Sequence, residues 1–249
     1  MNIVWCCAIG LVITYYIGYI SKALRLKSEA SELQTKGEDQ AALDKFQQIL
    51  LLDRKWRSRA GEAITLNNLG LVYTDLGEYP QAMEYLHQSL AIARDIGNRA
   101  GEGKTLNNLG AVYYSLGEYS QATEYYHQSL AIAREVGDRS DEGTALNNLG
   151  MVYKDLGEYS QAMEYLHQSL AIIRDVGDRV DEGKSLDNLG TVYDSLGEYS
   201  QARDYFHQAL AIHREVGDRA LERLTLNNLD AVRRKLGHSA NESSLSATY

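Results

Sequence analysis

The chain has 249 residues, 44% of them hydrophobic, enough to bury a core in one elongated or two compact domains. Its formal charge of −9 is uneven, +3 over residues 1–59 and −12 beyond, where 28 acidic residues face 16 basic ones, and an acidic body excludes a nucleic-acid binder built on clustered Lys and Arg. Cys6 and Cys7, the only cysteines, are adjacent and provide neither a disulfide framework nor a zinc spacing, and no cofactor or metal motif is present.

In chain order, Ile3 to Ile20 is uncharged, mostly apolar, and followed by Lys22, Arg25 and Lys27. At about 1.5 Å per residue a helix of that length spans roughly 27 Å, which suffices to cross a bilayer. Trp5 at one end and Tyr15, Tyr16 and Tyr19 at the other suit the headgroup level, and the basic flank would place the repeats in the cytoplasm. Residues 1–22 are therefore expected to anchor the chain in a membrane through residues 3–20. A cleaved signal peptide lacks its positive start and its small-residue cleavage site here. The remaining alternative is an apolar helix packing on the first repeat of a soluble cytoplasmic protein.

From residue 66 onward the chain repeats every 40 residues: Leu66-Asn67-Asn68-Leu69-Gly70 recurs from Leu106, Leu146, Leu186 and Leu226, with Asp187 and Asp230 as departures. A weaker copy precedes these, because Gly37, Ala42, Phe46, Leu50, Arg54 and Glu62 fall in register with Gly77, Ala82, Leu86, Leu90, Arg94 and Glu102. Within a unit, Leu106, Leu109, Gly110 and Tyr113 form one helical stripe, and Ala122, Tyr125, Tyr126, Ser129, Leu130 and Ile132 a second. Each unit reads as two amphipathic helices. Gly117 and Gly137 stand where left-handed closing residues are wanted, Asp138 is placed to cap the next helix, and Pro80 opens one. The mid-helix glycines Gly70, Gly110, Gly150 and Gly190 cost roughly 0.8 to 1 kcal/mol each relative to Ala, so close approach of the partner helix is expected to offset them. In the last copy Asp230, Arg233 and Ser239 replace glycine and tyrosines, which marks a polar capping helix before a Ser-rich tail.

The spacing Leu106-x2-Leu109-Gly110-x2-Tyr113, then Ala122-x3-Tyr126, resembles the tetratricopeptide repeat (TPR) signature. Leu stands where the first Trp is typical and Arg134 where a closing Pro is typical, in keeping with a 40-residue unit. The long form resembles Partner-of-Inscuteable-type adaptors, and more loosely kinesin light chains and bacterial TPR proteins. The resemblance implies an all-α fold, an α-solenoid or TPR superhelix of five helix pairs plus a capping helix, here behind an N-terminal hydrophobic helix. The expected boundaries are an anchor at 1–22, a degenerate repeat at 23–62, four repeats and the cap at 63–237, and a disordered tail at 238–249.

A second face of the first helix carries Lys104, Asn107, Ala111, Tyr114 and Ser115, rotated away from the Leu109/Tyr113 stripe. Along the chain it becomes a ladder of Asn67, Asn107, Asn147, Asp187 and Asn227 beside Asn68, Asn108, Asn148, Asn188 and Asn228. A carboxamide offers both donor and acceptor, so such a row suits the backbone of an extended chain. The TPR resemblance implies that the first helices line the inner surface and that Asn68, Asn108, Asn148, Asn188 and Asn228 hold a bound peptide. Selectivity then falls to positions that differ between copies: Ile64/Lys104/Thr144/Lys184/Leu224, Leu71/Ala111/Met151/Thr191/Ala231 and Thr74/Tyr114/Lys154/Asp194/Arg234. The alternative is that these are exposed sites varying freely, while the asparagines cap turns or bond neighbouring helices.

His87, His127, His167 and His207 each lie one repeat from the next, too far apart to share a metal, and are expected as half-buried helix residues. Arg139 with Glu142 reads as a surface ion pair worth about 0 to 1 kcal/mol. No phosphate loop or nucleophile motif occurs. The function expected is a non-enzymatic scaffold for a protein or peptide partner. A self-assembling homo-oligomer and a regulatory subunit sensing a peptide are the alternatives.

Overall fold

Helix ends are written into each repeat by a capping side chain and a closing glycine. The computed structural model describes the backbone of residues 3–246 and the side chains of residues 18–237. Among the described residues there are eleven α-helices and no strand: α1 (Ile3–Thr35), α2 (Asp39–Lys55), α3 (Arg59–Asp75), α4 (Tyr79–Asp95), α5 (Arg99–Ser115), α6 (Tyr119–Val136), α7 (Arg139–Asp155), α8 (Tyr159–Val176), α9 (Arg179–Ser195), α10 (Tyr199–Val216) and α11 (Arg219–Ser246). The side chains of Ser58, Asn98, Asp138 and Asp178 accept from a backbone N–H in the first turn of α3, α5, α7 and α9. Gly137 closes α6 in the left-handed region at φ 74°, where a side chain is disfavoured. In the degenerate repeat the equivalent residue is Arg57, at φ 55°.

The chain divides into two units, residues 1–116 and 117–249. In the first, Leu26, Phe46, Leu66, Leu69 and Val72 form the core between α1 and α4. In the second, Leu166, Leu186 and Leu189 form one cluster, and Phe206 and Val232 belong to another that reaches α11. The close approach expected at the mid-helix glycines is present at Gly70, Gly150 and Gly190. A Cβ on Gly70 would lie 2.5 Å from Leu86 Cγ, one on Gly150 2.6 Å from Leu166 Cγ, and one on Gly190 2.7 Å from Phe206 Cδ1. One turn further on, Tyr73 stacks on Tyr85, Tyr153 on Tyr165 and Tyr193 on Tyr205, with ring centroids 5.3, 5.3 and 5.2 Å apart.

Successive hairpins are clasped by a carboxylate held between two arginines. Glu102 accepts from Arg94 Nε at 2.7 Å and from Arg99, and the same fork recurs at Glu62, Glu142, Glu182 and Glu222. The expectation of a loose surface pair at Arg139 and Glu142 is thereby corrected: the Glu142 side chain is only 8% exposed and also bonds Arg134. The two arginines answer both carboxylate oxygens, which is what permits its burial.

The apolar stretch 3–20 lies outside the residues with described side chains, apart from Gly18, Tyr19 and Ile20. Among the described residues no helix is long and apolar enough to cross a membrane. Tyr19, expected at a headgroup level, instead stacks on Trp56 at 5.4 Å and donates its hydroxyl to Asp53 Oδ1 at 2.7 Å. It thus packs on α2, where it satisfies a buried carboxylate. The tail expected to be disordered, 238–249, likewise lies outside the residues with described side chains.

Gly150→Ala should gain roughly 0.8–1 kcal/mol of helix propensity but lose about 1–3 kcal/mol to overpacking against Leu166. The expected outcome in urea denaturation is a net loss, and in a double-mutant cycle the same glycine change should cost less in a Leu166→Ala background than in the wild type. Burial pushes the Glu102 carboxyl up, but the hydrogen bonds of Arg94 and Arg99 outweigh it and hold it below its ordinary 4.5. A carboxyl depressed in the folded state contributes stability above its unfolded value, and that contribution is lost as pH falls through the folded one. Glu102→Gln should therefore cost about 1–3 kcal/mol at neutral pH and flatten the acid limb of the stability profile, read by urea melts between pH 7 and pH 3.

Candidate functional site

The face expected to bind a partner meets solvent where two successive first helices and the second helix between them leave a gap. Between α3, α4 and α5 the gap is a cavity of about 350 Å³, lined by Ala63, Ile64, Asn67, Asn68, Ser89, Ala93, Asn98, Ala100, Gly101, Lys104 and Thr105. Between α7, α8 and α9 it is a cavity of about 140 Å³, lined by Thr144, Asn147, Asn148, Ile173, Asp181, Lys184 and Ser185. Each lining residue of the second is two repeats on from one of the first. The second is smaller because Ile173 stands where the first has Ala93, and its Cγ1 reaches to 2.9 Å from where a Gly143 Cβ would be. Lys184 donates to Asp181 at 2.8 Å beside it, and the first cavity has Gly101 at the aspartate's position.

The asparagine ladder is partly satisfied by itself. Asn108 Nδ2 donates to Asn67 Oδ1 at 3.0 Å, and Asn188 Nδ2 donates to Asn147 Oδ1 at 3.0 Å. Each bond joins a first helix to the next and uses one of the two N–H groups on one carboxamide and one of the two lone pairs on the other. The ladder therefore holds neighbouring repeats in register as well as lining the cavities.

Asp187 is not part of that open face, which corrects its placement beside the asparagines. It is buried, accepting from His213 Nε2 at 2.7 Å and from Thr225 Oγ1 at 2.8 Å, and so joins α9 to α10 and α11. Burial raises its carboxyl above the ordinary value, and the His213 and Thr225 hydrogen bonds pull the other way without cancelling it. His213 is fully buried, and its Nδ1 has no partner. A matching node lies in the first unit, where buried Asp53 accepts from Tyr19 and from Thr65 Oγ1 at 2.8 Å. These nodes were missed in the sequence. Their one signal is the register of Asp53, Ala93, Ala133, Ile173 and His213, which varies inside an otherwise constant apolar stripe.

The other expected site residues divide. Leu71, Ala111, Tyr114, Met151, Lys154 and Thr191 are half-buried on the first helices but line neither of these two cavities. Asn107 is half-buried on α5, Lys154 pairs with Asp155 at 2.6 Å, and Asp194 accepts from Lys235 of α11 at 2.7 Å. Asn227 is exposed and Asn228 half-buried on α11. His87, His127, His167 and His207 are exposed rather than half-buried, because they project from the outer side of the second helices; His127 meets the Tyr165 ring edge at 6.2 Å. Among the described residues no group of three or more His, Cys, Asp or Glu is placed to hold a metal ion.

His213→Ala should cost about 2–4 kcal/mol, since it opens a cavity and strips Asp187 of its ring donor. In a double-mutant cycle with Asp187→Asn, thermal and urea melts should report a coupling of about 1–3 kcal/mol.

The family model described as Tetratricopeptide repeat matches residues 30–95, 61–135, 101–175 and 141–215 in overlapping windows. Among curated proteins no relative matches the chain. Of solved structures, BtubC (BKLC) from P. vanneervenii is 21% identical, with a TM-score of 0.64 over 86% of this chain and 84% of that one. A Podosopora anserina putative kinesin light chain with nearly identical TPR-like repeats is 21% identical, with a TM-score of 0.58 over 80% of this chain and 98% of that one. A Rap protein complexed with Competence and Sporulation Factor is 19% identical, with a TM-score of 0.64 over 88% of this chain and 65% of that one. At such identities these likenesses establish fold alone. With the family windows running from residue 30 to residue 215 over helix pairs of this geometry, the chain belongs to the tetratricopeptide repeat family.

Proposed function

We propose that this chain is a non-enzymatic protein-interaction scaffold that takes an extended segment of a partner on its first-helix face. The observation that carries the reading is the recurrence, in both units and in one register, of a cavity walled by the candidate residues. Ile64, Asn67, Asn68 and Lys104 wall the first, and Thr144, Asn147, Asn148 and Lys184 the second. A polar layer that is nearly constant, set beside positions that change from copy to copy, supports backbone reading by the one and side-chain selection by the other. The Rap protein solved with Competence and Sporulation Factor supports the same use of the fold. The reading does not require a membrane tether, since Tyr19, near the end of the apolar run, is held by Asp53 and Trp56 of the α2 hairpin.

A second reading, association between copies, is favoured by α11. Leu226 is 38% exposed there, whereas Leu66, Leu106, Leu146 and Leu186 in the same register are at most 1% exposed, and Leu224 beside it is 52% exposed. Light scattering across a dilution series decides it: a mass that stays monomeric at every concentration removes this reading.

The scaffold reading is tested by affinity capture with the wild type and with Asn108→Ala/Asn148→Ala/Asn188→Ala. Loss of three polar contacts should lower partner recovery at least tenfold, at roughly 1.4 kcal/mol per factor of ten, while circular dichroism shows the helices intact. Equal recovery by a folded variant rules the first-helix face out.

A further inference from the structure

In α3 the residues Leu66, Gly70 and Tyr73 form the face turned to the second helix of the same hairpin. A Cβ on Gly70 would lie 2.5 Å from Leu86 Cγ there, and Tyr73 stacks on Tyr85. The same register of α11 holds Leu226, Asp230 and Arg233. One turn further on, Gly77, Gly117, Gly157 and Gly197 turn the chain back at φ 75°, 75°, 78° and 77°. Gly237, in their register, is helical instead, and α11 runs through it to Ser246. The chain therefore does not fold back over this face at Gly237. Among the described residues the face stays open: Leu226 is 38% exposed, Asp230 and Arg233 are exposed, and a Cβ on Gly237 would meet nothing within 4 Å.

We infer that this face of α11 binds the same face of a second copy, with the two helices antiparallel about a two-fold axis. This deepens the reading of association between copies and rests on it. At about 100° per residue, Leu226, Asp230, Arg233 and Gly237 lie within about 60° of the helix circumference. Their spacing of four, three and four residues reads the same in both directions. An antiparallel copy therefore sets Leu226 over Gly237 and Asp230 against Arg233, each pairing occurring twice. Leucine over a mid-helix glycine is the contact that closes the hairpins at Gly70 and Gly150, and in α11 neither half of it is used within the chain. The charges are free in the same way. Arg219 is held by Glu222 and Lys235 by Asp194, whereas the side chains of Asp230 and Arg233 enter no ion pair among the described residues. The axis midway between Asp230 and Arg233 falls about one residue from the middle of Arg219–Ser246, so the two helices overlap over about 40 Å.

Sedimentation of the full chain from about 5 µM to about 1 mM should show the mass rising toward that of a dimer, the weak range expected of one helix pair. Asp230→Arg and Arg233→Asp each set like charges against each other twice, and each should weaken association about tenfold or more. Mixed in equal amounts, these two variants should associate with each other about as strongly as the wild type does, since every pair is then of opposite sign. Asp230→Arg/Arg233→Asp, which keeps the net charge, should do so by itself. Gly237→Leu fills the notch that Leu226 of the other copy needs. Leucine favours a helix over glycine and nothing in the chain opposes it there, so helicity by circular dichroism should hold while association falls about tenfold or more. A monomer at every concentration overturns both this pairing and the reading of association between copies. A dimer that the single variants leave unchanged, or that neither the mixture nor the exchange restores, overturns the α11 face and leaves association through another surface. Neither result touches the scaffold reading, which stands or falls on partner capture by the asparagine variant.

Discussion

The α3–α4, α7–α8 and α9–α10 hairpins are each closed at one point, where the first helix carries no side chain and the second presses a large one into the gap. Leu86 against Gly70, Leu166 against Gly150 and Phe206 against Gly190 approach to distances that no Cβ tolerates. A glycine in mid-helix is otherwise a cost, and here dispersion contacts and buried apolar area along the paired helices offset it. That contact also sets the rotation of the first helix. With the glycine and leucine stripe turned to the partner, the asparagines two and three residues before it are turned to the neighbouring repeat and to solvent.

Because the frame is constant, a single register in the second helix produces several outcomes. Alanine at 93 leaves a large cavity, isoleucine at 173 a smaller one, and histidine at 213 fills its place and bonds across it. On the first helix opposite, Gly143 and Gly183 make room for Ile173 and His213, because two side chains there would contend for the same volume, whereas alanine at 93 and 133 accompanies either Ala63 or Gly103. The aspartate at 53 extends the pattern, completed there by Tyr19 from α1.

Asp53 and Asp187, both buried, are held by hydroxyl or ring donors from flanking helices. An unpaired carboxylate in such a place would be costly, so each node ties the three helices that supply its bonds. Asp53 ties α1, α2 and α3, and Asp187 ties α9, α10 and α11. The glutamates between arginines do comparable work nearer the surface, once per repeat, and the carboxylate there is answered by two charges.

The 40-residue period, the two helices per unit, their closing glycines and the close contacts at Gly70, Gly150 and Gly190 were legible in the residues, because they depend on interactions within a hairpin and recur from copy to copy. Helical spacing put Asn67, Asn68, Lys104, Asn147, Asn148 and Lys184 on one polar face of the first helices, and these six line two cavities. What only the tertiary structure decided lies between hairpins. Asp187 looked like one more rung of the ladder, yet it is buried, because His213 and Thr225 come from two other helices to meet it. Tyr19 read as an interfacial ring and packs on Trp56, and Glu142 read as a surface charge and is clasped by Arg134 and Arg139. Periodicity reports which face of a helix is apolar, but the partner of a polar group is fixed by which segment folds over it. That information resides in three-dimensional packing.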